Sequence, residues 1–287
     1  MPGVLGFRFR FRFRFRFRGF GGFGFRFLRF RGQATKLPNS ESMLAFPPLL
    51  YGMGRQARVI LPGWAHHITQ RGNRRQQVFF CDTDRKMYLN LLRDHASRAG
   101  MQILAYCLMP NHVHVVAIPE RVDSLAKGFG RTHNEYARWV HIRERQTGHL
   151  WQNRFFSCPL DERHLAEALR YVELNPVRAG LVEDPCEWVW SSAPARVNGT
   201  DPHELLHGSV FHDDHIGENW KRILELGWKD DALQQRIRDA TRTGRPLGNS
   251  EFLDAAERAT GRLLRPAKRG PKPKPRPEIM LGSSAFS

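Results

Sequence analysis

The sequence predicts an α+β fold in which strands and helices follow one another in the order βαββαβ, with an added helix and a helical C-terminal region. Three observations lead to this prediction. Two strand-like runs, QILAYCL and HVHVVAI, are joined by MPN, whose Pro and Asn are typical of a tight turn. Two long stretches with apolar residues at helical spacing separate the strand-like runs. The chain of 287 residues is also long enough to bury a sizeable core, and its length allows two domains.

The first half of this order is a strand, a helix and a hairpin. The segment WAHHITQRG alternates and ends in Gly, which predicts a strand over about 64–70. A helix is predicted over about 83–99, with Asp82 as its N-cap and Gly100 just past its end. The runs QILAYCL and HVHVVAI then form the two strands of the hairpin.

The second half contains two further helices and the fourth strand. Asp123 opens a helical pattern that runs to about 146, HLWQNRFFSC is the fourth strand, and DERHLAEALRYVELNP is a helix ended by Pro176. Strands in pairs with two helical crossovers are typical of a ferredoxin-like or RRM-like antiparallel sheet with helices on one face. This fold hosts many functions, so the function has to be argued from the site.

The chain divides into four predicted segments. Residues 1–52 are a low-complexity extension in which Phe and Arg alternate strictly over 7–18. A six-base DNA repeat gives this pattern when translated, so we interpret the segment as DNA slippage or a misplaced start. Residues 53–195 hold the βαββαβ domain, and residues 196–263 are a helical accessory region that holds DNA or covers the sheet. Residues 264–287 are a basic, Pro-rich tail that is expected to be disordered.

The charge of the chain favours a nucleic-acid partner. Its formal net charge is +17, and it stays basic when the nine arginines of the first 31 residues are set aside. No run of about 18 apolar residues occurs, so no membrane association is predicted. The four cysteines are widely spaced and form no CxxC pair, which suits a reducing cytosol and gives no support for a zinc cluster. We therefore expect a cytoplasmic protein associated with the nucleoid.

Two residue pairs are candidates for chemistry. His112 and His114 lie two apart on a predicted strand, so both imidazoles point to one side and can bind one ion. With 13 histidines in the chain, a chance pair at this spacing is common, and two strand histidines without a metal are the alternative. Tyr171 and Asn175 are four apart on the last predicted helix and are therefore neighbours on one flank. A tyrosine there is ordinarily a packing residue.

Three motifs in order, MPNHVHVV, GHLWQNRFF and RYVELNPVRAGLV, carry a family resemblance. Together they resemble the REP-associated tyrosine transposases, a domesticated branch of the Y1 (single-tyrosine) transposases of the IS200-like type in the HUH endonuclease superfamily. The resemblance covers about residues 58–190, and TRTGRPLG and RLLRPAKRG add further matches. It implies that His112 and His114 bind a divalent ion, that Tyr171 is the nucleophile, and that Asn175 completes the metal site.

The implied chemistry agrees with the properties of these residue types. A tyrosine has an ordinary pKa of about 10 and attacks a phosphate poorly until the phosphate is polarised. Mg²⁺ or Mn²⁺ held by two imidazoles and an amide would polarise the scissile phosphate. Attack by Tyr171 would leave a 5′-phosphotyrosine and a free 3′-hydroxyl. The resemblance further implies single-stranded or hairpin DNA of the REP type as the partner.

Other basic residues are assigned more broadly. His66 and His67 are adjacent and so point to opposite faces, and neither is added to the metal ligands. His164 lies on the flank of Tyr171 and is interpreted as a solvated residue. For the three arginines in the loop after the first strand, a solvated loop without DNA contact is an equal alternative. The four candidate DNA contacts are Arg71, Arg74, Arg75 and Arg154.

Two other functions stay open at this point. A non-catalytic nucleic-acid-binding regulator can use the same sheet, although binding alone does not require the combination of His112, His114, Tyr171 and Asn175. A hydrolytic nuclease with a metal-bound water would form no covalent adduct with its DNA. Both a monomer and a homodimer are compatible with the sequence.

Overall fold

The computed structural model describes residues 57–211, 216–227 and 231–265. The predicted segment 1–52 and the predicted tail from residue 266 lie outside the described residues. Within them, four strands form one antiparallel sheet in the order β2-β3-β1-β4, the order expected of a βαββαβ sheet. The strands are β1 (His66–Arg71), β2 (Met101–Met109), β3 (His112–Pro119) and β4 (Phe156–Pro159). The predicted α+β fold class is confirmed.

The α-helices of the described ranges follow the predicted order. The helices α1 and α2 connect the strand pairs, and α3 to α8 follow β4. Their bounds are Asp82–Ala99 (α1), Ser124–Glu144 (α2), Glu162–Glu173 (α3), Asn175–Arg178 (α4), Ala193–Asn198 (α5), Ile216–Glu225 (α6), Asp231–Thr243 (α7) and Ser250–Thr260 (α8).

Helices cover both faces of the sheet. Val113 and Val115 of β3 belong to a core that α1 and α2 complete on one face. Val116 and Ile118, which point the other way, belong to a second core with residues of α3 and α7. The two crossover helices α1 and α2 lie on one face as predicted, whereas the added helix α3 and the C-terminal α7 cover the other face. Since β3 carries apolar residues at both alternating sets of positions, each face needs its own cover.

The fourth strand is shorter than predicted. The prediction placed it over HLWQNRFFSC, whereas β4 begins only at Phe156. The backbone at Asn153 has φ of +60°, a left-handed conformation that a strand does not tolerate. Trp151 instead makes an isolated bridge with Gly72, so the segment before β4 is a loop against the end of β1.

Two helix ends also differ from the prediction. The N-cap of α1 is Cys81 rather than Asp82, and the buried Asp84 accepts hydrogen bonds from the backbone at this end. The last predicted helix is two helices, because α3 ends at Glu173 and α4 begins at Asn175. Leu174 between them keeps φ of −84° and ψ of 0°, so the chain direction is almost preserved.

The C-terminal helices pack on the sheet domain. Helix α7 lies against β4 and β1, and α5 lies against α6. Phe252 of α8 packs with Val59 and Leu61. Of the two roles expected for this region, the structure shows the covering of the sheet by α7. None of the helices in the described ranges has the length and apolarity needed to cross a membrane.

Candidate active site

Strand pairing places the two histidines of β3 beside residues of β1. His114 pairs with Thr69, and His112 pairs with Arg71. Because alternate strand residues share a face, both imidazoles lie on the side covered by α3 and α7. Their ring centroids are 4.9 Å apart. His114 is buried, whereas His112 is half-buried at the end of its strand.

Helix α3 lays Tyr171 over these histidines. The ring centroid of Tyr171 is 5.6 Å from that of His114 and 5.6 Å from that of His67, and both contacts are edge-on. The phenol is 3% exposed, so its position is fixed by packing. The helix begins at the N-cap Asp161, whose side chain accepts a hydrogen bond from the backbone N–H of His164.

A chain of hydrogen bonds assigns the protonated nitrogen of His114. The Thr241 hydroxyl donates to the carbonyl of Ile237 at 2.8 Å, so its oxygen accepts from His67 Nδ1, also at 2.8 Å. Burial lowers the pKa of His67 to about 3, and a neutral imidazole has a single N–H. His67 Nε2 therefore accepts from His114 Nδ1 at 2.9 Å. His114 is left with an unprotonated Nε2.

His112 is fixed in the same tautomer by a different partner. Asn111 donates its Nδ2 to the carbonyl of Arg75, and its Oδ1 accepts from His112 Nδ1 at 2.6 Å. Burial, followed by the charge of Arg71, lowers the pKa of His112 to about 3. Burial also holds the pKa of His114 well below its usual range. Both rings thus offer the Nε2 lone pair that a metal requires.

The amide of Asn175 is the third predicted ligand. Asn175 is buried, its Oδ1 accepts from Arg178 Nη2, and its Nδ2 donates to the carbonyl of Val172 at 3.3 Å. A carbonyl oxygen has two lone pairs, so one is left for an ion. The described residues hold no cluster of three His, Cys, Asp or Glu side chains suited to a metal. A metal bound here would therefore have to take the amide or water as a further ligand.

Arginines that the sequence did not single out surround Tyr171. The guanidinium of Arg178 lies 4.0 Å from the centroid of the Tyr171 ring, and Arg238 Nε on α7 donates to Tyr171 Oη at 3.3 Å. Arg178 follows Tyr171 by seven residues, a spacing of two helical turns, and this signal was available in the sequence. Arg238 comes from a distant helix, so no local pattern indicates it. These two guanidinium groups would attract an anionic group, such as a phosphate, to the Tyr171 hydroxyl.

The four predicted DNA-contacting arginines do not form one group. Arg71 belongs to the site, since it pairs with His112 across the strands and its pKa is lowered by burial and then by Arg75. Arg74 and Arg75 are exposed in the loop after β1, with φ of +51° and +63°. Arg154 is exposed beside a cavity on the other face of the sheet, which α1 and α2 cover.

The remaining predictions are decided by burial. His67 was left out of the metal ligands, and the structure places it beside His114 as a hydrogen-bond partner. His164 was expected in solvent, but it is buried and its Nδ1 bonds Asp161 Oδ1 at 2.6 Å. The helix N-cap places these two side chains together. Three other tyrosines of the described residues are buried in the core, and these are Tyr88, Tyr106 and Tyr136.

Comparison with known proteins places this geometry in a family. The family model described as "Transposase IS200 like" matches residues 63–175, which include both histidines of β3, Tyr171 and Asn175. Over residues 63–175 the chain is therefore similar to the IS200-like transposases. A Haemophilus influenzae protein with the provisional name REP-associated tyrosine transposase is 29% identical over 103 residues. The match covers 32% of this chain and 58% of that protein, so the chain spans little more than half the length of this relative.

Solved structures of transposases are also similar to this chain. One is titled as a REP-associated tyrosine transposase bound to a REP hairpin; it is 21% identical, with 57% of this chain and 97% of that chain covered and a TM-score of 0.45. A second, from Deinococcus radiodurans and provisionally described as a transposase, is 22% identical. The match covers 42% of this chain and 96% of that chain, with a TM-score of 0.31. The family resemblance predicted from the three sequence motifs is confirmed by the family model and the named relative.

Proposed function

We propose that this protein is a metal-dependent single-stranded DNA endonuclease and strand transferase that acts through a 5′-phosphotyrosine at Tyr171. The observation that carries the proposal is the placement of the Tyr171 ring 5.6 Å from that of His114, with two guanidinium groups at the phenol. Packing alone does not require two cations around a tyrosine hydroxyl. Cations at this position would stabilise the charge that develops on a phosphodiester under attack.

The proposed cofactor is Mg²⁺ or Mn²⁺. His112 Nε2, His114 Nε2 and Asn175 Oδ1 would hold it, because the first two are unprotonated and the third keeps a lone pair. When bound, the ion supplies electrophilic polarisation of the scissile phosphate. Histidine ligands are accepted more readily by Mn²⁺ than by Mg²⁺, which prefers oxygen.

Tyr171 and the arginines beside it would carry out the attack and bind the phosphate. Arg178 and Arg238 would bind the non-bridging oxygens of the phosphate and stabilise the charge that develops on them. The Tyr171 hydroxyl releases its proton to solvent as Oη forms a bond to phosphorus and the bond to the 3′-oxygen breaks; that oxygen takes up a proton from solvent and leaves as a 3′-hydroxyl. The phosphotyrosine keeps the energy of the broken bond. A second 3′-hydroxyl can therefore reverse the step and join two strands.

The proposed partner is single-stranded or hairpin DNA of the REP type. The net charge of +17 supports a polyanionic partner, and one similar structure is titled as bound to a REP hairpin. Such a substrate would locate the protein at the nucleoid in the cytoplasm, as a monomer or a homodimer. Arg71, Arg74 and Arg75 at the end of β1 are proposed phosphate contacts next to Tyr171.

The test is capture of the covalent adduct. The DNA is a single-stranded hairpin from the flanks of the gene, labelled at its 3′ end, because the 5′-phosphotyrosine retains the downstream fragment. With Mn²⁺ or Mg²⁺, a slower protein band that carries the label is expected on a denaturing gel. Tyr171→Phe and His112→Ala should abolish the band, and Tyr106→Phe, which removes a hydroxyl elsewhere, should retain it.

Two results would replace the proposal with an alternative. Tight binding of the hairpin without any adduct would indicate a non-catalytic DNA-binding regulator. Cleavage that persists in Tyr171→Phe would show that water, rather than the tyrosine, is the nucleophile.

A further inference from the structure

A second polar site lies on the face of the sheet opposite Tyr171. A cavity of about 880 Å³ opens between α2 and the loop that precedes β4. Its lining contains three arginines and three histidines and includes no aspartate or glutamate. A concave site of this size with only cationic charges suits an anionic ligand. The basic, amide and aromatic residues of the lining include Arg58, Gln70, Arg138, Trp151, Arg154 and Phe155.

Gln70 gives the cavity an unused hydrogen-bond acceptor. It precedes Arg71 on β1 and therefore points to the opposite face from the Tyr171 site. The residue is 2% exposed, and its Nε2 donates to the carbonyl of Asn153 at 3.1 Å. Its Oε1 is buried and has no partner among the described residues. Buried polar atoms are rarely left unsatisfied, so this oxygen indicates a ligand that donates a hydrogen bond.

Aromatic and basic side chains complete the lining. Trp151 is half-buried, and Phe155 is stacked under Arg58, whose guanidinium carbon lies 3.7 Å from the ring centroid. Arg138 and Arg154 are exposed, and neither forms an ion pair in the part of the chain that the structure describes. A ring surface, an acceptor and free guanidinium groups are the elements that bind a base and its phosphate.

We propose that this cavity binds one unpaired nucleotide of the DNA strand, with its base directed to Gln70 and its phosphate at Arg138 and Arg154. An amino group or ring N–H of the base would donate to Gln70 Oε1. This inference rests on the proposed activity on single-stranded DNA. It adds a contact on the face of the sheet remote from the reaction, so that the strand is held at two separate points. A free mononucleotide has the same chemistry and would occupy the same cavity.

The binding test distinguishes DNA contacts in the cavity from attraction by the overall positive charge of the protein. Fluorescence anisotropy of a labelled eight-nucleotide single strand is measured in EDTA, so that no cleavage occurs. Arg138→Ala combined with Arg154→Ala should weaken binding about tenfold or more and lower the salt-dependence slope by about 0.7, the contribution of one phosphate contact on a single strand. Arg98→Ala combined with Arg258→Ala makes the same charge change at exposed positions outside the cavity and should alter binding by less than about twofold.

Photo-crosslinking locates the base. Iododeoxyuridine is placed in turn at each position of the strand, and peptides are identified by mass spectrometry after irradiation. A crosslink within residues 146–155 is expected, and Gln70→Leu with an unchanged unfolding temperature should reduce its yield. Competition by millimolar deoxyadenosine monophosphate would show that the cavity also takes the free nucleotide, whereas competition by oligonucleotide alone would assign it to the strand.

Equal loss of affinity in the two double variants, or crosslinks confined to the loop after β1 and to α3, would overturn the proposal. The two proposals fail separately, because binding is measured without metal and without reaction. Absence of the covalent adduct with intact cavity binding would reject the nuclease. A normal adduct with unchanged binding in Arg138→Ala combined with Arg154→Ala would reject the cavity.

Discussion

At the scale of single residues, the hydrogen bond between Thr241 and His67 decides which nitrogen of His114 faces the proposed ion. The two side chains lie on α7 and β1, and their bond of 2.8 Å leaves His67 Nε2 as an acceptor. His114 then has to place its proton on Nδ1, which bonds His67 at 2.9 Å. Partners of this kind orient the ligands of metal sites and commonly alter metal affinity when they are removed.

The role of Thr241 leads to a prediction about metal binding. Thr241→Val keeps the shape of the side chain but removes the acceptor for His67, so His114 loses its fixed tautomer. The affinity for Mn²⁺ should fall by about 10- to 100-fold. Titration calorimetry of the protein without DNA measures this affinity directly.

Thr241→Ser is the matched control, because it retains the hydroxyl, and its Mn²⁺ affinity should stay within about twofold of the wild-type value. Circular dichroism melting of both variants checks that the fold is intact. Wild-type Mn²⁺ affinity in Thr241→Val would contradict the proposed role of the hydrogen-bond chain.

The sequence was informative about residues that lie within one motif. His112 and His114 share a strand, and Tyr171 and Asn175 are one helical turn apart, so local spacing is enough to pair them. The contact of His67 with His114 was not predicted, because it depends on which strand lies beside β1. Thr241 lies 174 residues from His67, and only the packing of α7 brings the two together. Local sequence patterns do not predict contacts between residues so far apart in the chain.

At the scale of secondary-structure elements, α3 is the piece that carries Tyr171, and both of its ends are fixed. Asp161 caps its first turn. At its last turn the fully buried Glu173 accepts from Arg196 Nε at 3.0 Å, Ser192 Oγ at 2.6 Å and Trp220 Nε1 at 2.6 Å. These bonds tie α3 to α5, to the residue that precedes α5, and to α6. The position of Tyr171 therefore depends on the C-terminal helices.

This network predicts the effect of Glu173→Ala. The change leaves Arg196, which is 5% exposed, without its carboxylate, and an uncompensated buried charge costs about 3–5 kcal/mol. The free energy of unfolding, measured by urea denaturation, should fall by that amount. Glu183→Ala removes an exposed glutamate and should change the free energy by less than about 0.5 kcal/mol. A loss below about 1 kcal/mol in Glu173→Ala would show that the network does not hold α3.

Elements whose apolar residues recur with a clear helical or strand period could be predicted from the sequence. Element bounds that depend on tertiary contacts could not. The helices α1 to α3 and the β2–β3 hairpin occur where apolar spacing placed them, because each buries one face or a continuous run. The fourth strand was overextended, because the left-handed conformation at Asn153, a residue type that favours it, was not taken as a strand boundary. The break between α3 and α4 moved the predicted helix end by two residues.

At the scale of the whole molecule, stability depends on histidines that are buried in the neutral form. His66 uses both ring nitrogens, one toward the Trp64 carbonyl and one toward the Leu61 N–H. Burial lowers its pKa to about 4. Burial likewise lowers the pKa of His133, which bonds the Tyr88 hydroxyl, to about 3. The unfolded chain gains these protons near its ordinary pKa of about 6.5, whereas the folded chain does not.

Acidification should therefore destabilise the protein well above the pKa range of carboxylates. Below pH 6.5 the unfolded state binds more protons than the folded state, so each such histidine lowers the free energy of unfolding by about 1.4 kcal/mol per pH unit until the folded pKa is reached. Denaturant unfolding at several values between pH 6.5 and pH 5 measures the slope. Equal stability across this range would contradict the prediction.

Two histidine variants test whether buried histidines cause the pH dependence of the free energy of unfolding. His133→Gln removes one of the buried groups, so the slope should decrease by about 1.4 kcal/mol per pH unit. The exposed His149 serves as the control, and His149→Gln should leave the slope unchanged.

The most direct test of the central claim is to locate the DNA on the protein. The full chain is incubated with Mn²⁺ and hairpin DNA, digested with nuclease and trypsin, and analysed by tandem mass spectrometry. We expect a nucleotide phosphate on Tyr171, in the tryptic peptide that covers residues 171–178. A modified Tyr106 or Tyr136, or cleaved DNA with a free 5′-phosphate and unmodified protein, would contradict it.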